Sequence, residues 1–404
     1  MIRLGYGSAS DLYLELPDSI EVFDCSAPHG VELADPEQAV VQALADPFDF
    51  PPLSQATVTG DRVVLAMDQT VPQAPKVVSG VLRSLFQGDT RPEDITIVTD
   101  GCERFAGQLL CGFPDDVRFA VKVLLHDPDD ARNHAYLAAS KEGHPIHVHR
   151  ALVDADVLVP IGVTRLQRTL AYYGAATSLF PLFSDRATRQ RYCRSDTDDH
   201  EAHTRRCRSE SREVAWLLGS LMSVQVIPGA GDSLLTVLAG DLRTMDEHGQ
   251  RLCARAWRFP LPKRAGIVVA SVGASAAQQT WEGFARALDV ALACVAENGA
   301  VVLCTSLATR PGPALRRLTS WTGDDVLPKR IRRDFSGDGL SAQRLADARE
   351  HFHVYLMSSL KDIQVEELGV APVSTAHEIE RLCRHYESCV VLGNAQFAGV
   401  SIDG

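Results

Sequence analysis

Residues 154–181 read DADVLVPIGVTRLQRTLAYYGAATSLFP, and the rest of the chain is organised around them. The apolar run Val157-Leu158-Val159-Pro160-Ile161-Gly162 predicts a buried strand that ends at a glycine. A polar loop, Thr164 to Thr169, follows it. The stretch closes on the small residues Gly174-Ala175-Ala176-Thr177-Ser178, ahead of Leu179-Phe180-Pro181. α/β proteins use this order of strand, loop and small residues to bring backbone close to a ligand. Taken alone, the stretch is more simply read as a tight packing turn.

Outward from this stretch, strand-like and helix-like segments alternate. Arg62–Met67, Ile95–Val98, Val121–Leu125, Ile146–Arg150 and Val157–Ile161 read as strands. Lys76–Phe86 has helical spacing of Val77, Val78, Val81, Leu82 and Leu85. Asp35 is placed to cap a helix that Pro36 starts and Asp46-Pro47 ends. Ile2–Leu16 reads as a strand or hairpin, and Arg212–Leu221 as an amphipathic helix. Val224–Pro228 and Leu234–Leu238 read as a strand pair. After Phe259-Pro260-Leu261-Pro262-Lys263-Arg264, the best linker in the chain, the pattern restarts. There Ile267–Ser271, Ala300–Cys304, Val354–Met357 and Cys389–Leu392 read as strands, with helices at Thr280–Glu297 and Ala376–Tyr386. The expectation is two α/β domains around a cleft, residues 1–258 and 265–389, with 390–404 a candidate return to the first. Ligands then sit at the carboxyl ends of the strands.

Composition narrows the function. The 404 residues carry a formal charge of −12, which argues against a nucleic-acid partner. Arginines cluster between Arg186 and Arg212, but acids interleave them, as on a solvated helix. No apolar run is long enough to span a membrane, and the first twenty residues lack the pattern of a signal peptide, so a cytoplasmic protein is expected. None of the ten cysteines forms a CxxC pair, and reduced, mostly buried thiols are the reading. His144, His147 and His149 lie close together, as do His200, His203 and Cys207 with Cys193 nearby. Each group suggests a metal site, although a solvated strand face and a polar helix are the simpler readings. Ser271-Val272-Gly273-Ala274-Ser275 is a weak hint of a phosphate loop.

At Asp68-Gln69-Thr70-Val71-Pro72-Gln73-Ala74-Pro75 the sequence resembles the nickel-dependent lactate racemase family. Further blocks resemble it in the same order along nearly the whole chain: Leu4-Gly5-Tyr6-Gly7, Ala43-Leu44-Ala45-Asp46-Pro47, Gly143-His144-Pro145-Ile146-His147-Val148, Ala239-Gly240-Asp241, Val354-Tyr355-Leu356-Met357-Ser358 and Glu367-Leu368-Gly369. The resemblance implies interconversion of 2-hydroxy-acid enantiomers. It also implies a nickel-pincer nucleotide joined to a lysine through a thioamide, a histidine on the nickel, and two histidines as acid and base.

Each implied position can be read here. The cofactor lysine falls on Thr177, which has no amine. The first catalytic histidine falls on Gln167. The second falls on Glu103 of Gly101-Cys102-Glu103-Arg104, a base if burial raises its pKa and otherwise a surface carboxylate. The nickel histidine falls on Cys193, whose thiolate suits nickel. The substrate arginine is replaced by Val71, and Arg286 is the candidate for the substrate lysine. The expected ligand site comprises Asp68, Thr70, Arg104, Gly174, Thr177 and Ser178, with backbone N–H groups of the helix after Pro75 facing an anion. A protein without the pincer cofactor, binding a small anion or hydroxy acid, is the leading expectation. An isomerase with substituted ligands and a non-catalytic scaffold or regulatory partner are the alternatives.

Overall fold

The computed structural model describes residues 1–8, 10–166, 174–193, 200–220, 222–273, 275–320 and 338–402. Two six-stranded sheets dominate it. In chain order the strands are β1 (Ile2–Tyr6), β2 (Ser10–Leu14), β3 (Glu21–Cys25), β4 (Val63–Met67), β5 (Ile95–Thr99), β6 (Lys122–Leu125), β7 (His134–Ala139), β8 (Pro145–His149) and β9 (Val157–Val163). They continue as β10 (Met222–Pro228), β11 (Leu234–Asp241), β12 (Arg258–Leu261), β13 (Ala265–Ser271), β14 (Val295–Cys304), β15 (His353–Met357), β16 (Ala371–Pro372), β17 (Ser388–Leu392) and β18 (Gly399–Ile402).

The first sheet has the order β11-β10-β9-β4-β5-β6, parallel except for β11. The second has the order β16-β15-β14-β13-β17-β3 and is parallel throughout. Continuous apolar runs such as Val63–Met67, buried at every position, are what strands covered on both faces require. Strand β3 lies at the edge of the second sheet, and the β1–β2 hairpin packs Leu4, Leu12 and Leu14 onto its core. The start of the chain therefore sits with the second sheet and not with the first. At the other end, β17 is internal to the second sheet, and β18 pairs with β12 in a two-stranded ribbon. The segment expected as a pure linker thus forms a short strand against the chain's last strand.

Local chemistry explains the helices. Asp35 caps helix Pro36–Ala45 by accepting from Gln38 N at 3.1 Å. Helix Ala74–Gln87 buries Val77, Val78, Val81, Leu82 and Leu85 along one face. The sequence reading assigns no element to 242–257, where polar residues and Gly249 blur the periodicity. Asp241 nevertheless caps a helix there, Leu242–Trp257, accepting from Arg243 N and Thr244 N at 3.0 and 3.1 Å. Gly249 lets that helix approach β9, since a Cβ there would lie 3.1 Å from Thr164 Oγ1. The helix expected at Arg212–Leu221 begins earlier and ends sooner, spanning His200–Leu217.

Candidate functional site

Strands β9, β4 and β5 are parallel neighbours, so their carboxyl ends lie side by side. Those ends deliver Arg165, Asp68 and Asp100 to one cleft of about 420 Å³. The opposite wall comes from the carboxyl ends of β13 and β14 and from the start of helix Trp281–Cys294: Gln278, Trp281, Glu282, Arg286 and Arg310. The cleft therefore lies between the two sheets, where α/β folds place ligands.

The polar network on the first wall is tight. Asp68 Oδ1 accepts from Thr70 N at 2.7 Å and from Thr70 Oγ1 at 2.6 Å. Thr70 Oγ1 in turn accepts from Arg165 Nη2, which stands 3.9 Å from Asp68 Oδ2. The Arg165 side chain is buried, and its guanidinium lies over the Phe397 ring at 5.8 Å. Among the described residues its Nη1 has no hydrogen-bond partner. Helix Leu242–Trp257 holds this segment from behind: Gln250 Nε2 donates to Arg165 O at 3.0 Å. The second sheet's side reaches the same loop, where Gln278 Nε2 donates to Thr70 O at 2.8 Å. On the far wall Arg286, also buried, pairs with Glu282 one turn back.

Glu282 on the far wall is pushed up by burial, and so is Asp100. Asp100 accepts from Gln69 N at 2.9 Å and Gln69 Nε2 at 3.3 Å. Burial first, and then the neighbouring charge of Asp68, push its carboxyl up to about 7.

The small-residue turn is built by close approaches. Gly174 has φ +100°, and a Cβ there would meet Asp246 Oδ1 at 2.3 Å. Asp246 accepts from Ala175 N at 2.8 Å and takes the Arg212 guanidinium at 2.9 Å. Gly162 is required because Ser178 crosses it, only 2.3 Å from where a Cβ would stand. Thr177 Oγ1 donates to Gly174 O at 2.8 Å, and Ser178 Oγ donates to Ala175 O at 2.7 Å. Both hydroxyl hydrogens are thus committed to backbone.

Of the residues expected at the site, the cleft brings together Asp68, Thr70, Gly174, Thr177, Ser178 and Arg286. Glu103 and Arg104 lie elsewhere, exposed on the short helix Glu103–Gln108 and outside the cleft lining. The strand-end residue that faces the cleft is Asp100, three residues earlier. Gln167 lies outside the described residues. Cys193 ends helix Arg186–Cys193, and its side chain is likewise outside the description. The N-terminus of helix Ala74–Gln87 does not line the cleft. Pro75 has no N–H, and the N–H groups of Lys76 and Val77 both donate to Gln73 O. Sequence reasoning missed Asp100, Arg165, Arg189 and Arg310. Asp100 and Arg165 were legible as polar residues just past strand ends.

The histidine pairs resolve differently from the expectation of a solvated face or a metal. His149 is buried against His126, with ring centres 5.8 Å apart, and His134 lies 5.4 Å from His126. Burial pushes His126 down to about 3 and His149 down to about 4, so both are neutral at physiological pH. His147 is partly buried and meets Asp185 at 3.2 Å, whereas His144 is exposed. His203 Nε2 approaches Cys207 Sγ at 3.4 Å and Tyr192 O at 3.3 Å. Among the described residues no group of three or more His, Cys, Asp or Glu side chains is arranged to hold a metal ion. The glycine loop after β13 is occupied by the protein itself, since Gln279 Nε2 and Gln396 Nε2 both donate to Gly273 O.

The sequence pattern of the lactate racemase N-terminal domain matches residues 6–204. The chain belongs to the lactate racemase-like family. Its fold agrees with that of the lactate racemase apoprotein from Thermoanaerobacterium thermosaccharolyticum, with a TM-score of 0.75, 16% identity and 99% of both chains covered. A Thermotoga maritima protein of known crystal structure is also similar, with a TM-score of 0.67 and 12% identity over 92% of this chain and 100% of that one. No curated protein matches the sequence. Among the described residues no helix is long and apolar enough to cross a membrane.

Proposed function

We propose that this lactate racemase-like protein carries no nickel-pincer nucleotide and binds a small anion or hydroxy acid in the cleft between its sheets. One observation carries the first half. Thr177, at the position where the resemblance expects the cofactor lysine, has only a hydroxyl, and that hydroxyl donates to Gly174 O inside the turn. The family's thioamide needs an amine, and among the described residues no lysine lines the cleft. The residues present therefore do not fit the group. The second half rests on the cleft itself. Arg165, Arg189, Arg286 and Arg310 line a site of ligand size together with the acids Asp68, Asp100, Glu282 and Asp338, and Arg165 Nη1, without a hydrogen-bond partner among the described residues, is the donor left for an anion.

This reading takes the two sheets as two lobes, with the start of the chain belonging to the second and Phe259–Arg264 as one crossing between them, and it places the protein in the cytoplasm with a small molecule as its partner. The alternative of an isomerase with substituted ligands draws on Arg286, which lines the cleft, but not on Glu103, which does not. A thermal-shift screen with phosphate, D- and L-lactate and nucleotides tests the binding half, because a ligand of the native state raises its stability. A rise for a hydroxy acid or phosphate supports the reading. No rise for any of them leaves only the scaffold alternative.

A further inference from the structure

Two carboxyl groups meet on the floor of the cleft. Asp68 follows β4 and Asp100 follows β5, on neighbouring parallel strands. One short loop fastens both. Thr70 N and Oγ1 hold Asp68, while Gln69 N and Nε2 hold Asp100. Neither carboxyl can swing away from the other without giving up a backbone hydrogen bond. Their partners differ in kind: Asp68 faces the Arg165 guanidinium, and Asp100 accepts from the backbone N–H and the side-chain NH₂ of Gln69. A ligand carboxylate entering here brings a third acid to the same floor. Two carboxylates in contact repel, whereas a carboxylate and a carboxylic acid share a strong hydrogen bond.

Resting on the anion-binding reading above, we propose that the cleft takes a small carboxylate together with one proton, and that Asp100 carries the proton and donates it to the ligand. The proton comes from solvent and bonds to Asp100, and no other bond changes. Burial and Asp68 already hold Asp100 near 7, so its proton is available at neutral pH. The charged groups around it are Asp68 at the end of β4 and Arg189 on helix Arg186–Cys193. Across the cleft stand Glu282, Arg286, Arg310 and Asp338. Arg189 lowers Asp100 and Asp68 raises it, and the bound carboxylate adds to the second effect.

The test is calorimetric titration of the purified chain with sodium L-lactate and sodium D-lactate at pH 7, in buffers of different ionisation heat. The expected uptake is about half a proton per ligand bound, because a group half-protonated in the free protein becomes fully protonated in the complex. Affinity should then fall by up to about tenfold per pH unit above pH 7. Asp100→Asn should bind lactate with no proton uptake and no pH slope over that range. Asp100→Ser serves as a second variant without the carboxyl if the first does not fold. Binding by the unmodified chain without proton uptake, or uptake that persists in either variant, overturns the inference alone. If neither enantiomer binds, the anion-binding reading falls and the inference falls with it.

Discussion

Asp100→Asn is also a stability experiment, and the sign of its effect follows from the structure. The carboxyl of Asp100 is raised from 3.8 to about 7, mainly by burial. In the unfolded chain it ionises near 4, so between pH 4 and pH 7 the folded state binds more protons than the unfolded state. Stability from this group is therefore present at low pH and lost as pH rises through that window. A rise of about three units at roughly 1.36 kcal/mol each sets an upper figure near 4 kcal/mol for charging Asp100 in the fold. Asparagine removes the charge and keeps an acceptor for Gln69 N, but its NH₂ then faces Gln69 Nε2. That mismatch returns about 1–2 kcal/mol. The variant should accordingly be about 2 kcal/mol more stable than the parent at pH 8, and equal to it or slightly weaker at pH 4. Urea unfolding at both pH values reads the difference directly. A difference that does not change between pH 4 and pH 8 would show that Asp100 titrates as an ordinary surface acid, and the account of the cleft floor would be wrong.

Other outcomes follow from the same network. Arg165→Met should destabilise the protein by about 3 kcal/mol in denaturant titration, because it removes one partner of a buried pair and leaves Asp68 facing an apolar side chain. Gly174→Ala should cost about 2 kcal/mol or more, since the residue holds φ +100° and its Cβ would collide with Asp246. His126, depressed to about 3 by burial, contributes stability above pH 6.5 that is lost as the pH falls towards 3. His126→Phe should flatten the acid limb of the unfolding curve between about pH 6.5 and pH 3, the range that the cited shift and the usual histidine value define. Thr177→Lys alone should not give racemisation of lactate when the chain is made alongside the family's cofactor-making enzymes.

Much of the fold was legible because its signals are local. The apolar runs Val63–Met67 and Val157–Val163 announce strands buried on both faces, and Asp35-Pro36 announces a helix start. Sheet membership was less legible. Nothing local in Glu21–Cys25 shows that it pairs with Ser388–Leu392, since that choice is made by packing across more than 360 residues. Helix Leu242–Trp257 escaped because its buried face includes Asp246 and Gly249, residues kept for contacts with Ala175 and Thr164 rather than for helical propensity. The site was half legible. Asp68, Thr70 and Thr177 follow from the resemblance, but motif alignment fixed attention on Glu103. The strand-end geometry selects Asp100, because the side chain just past a β-strand, and not the next helix turn, faces the cleft.

The central claim is a lactate racemase fold whose Thr177 cannot hold the family's cofactor. Intact mass spectrometry tests it most directly, on the chain co-expressed with the enzymes that make and attach the pincer nucleotide. The account predicts a mass equal to the bare polypeptide and no interconversion of D- and L-lactate by the same sample. A mass increase equal to the cofactor would contradict it, and would require a ligand other than the residue at position 177 to hold the group.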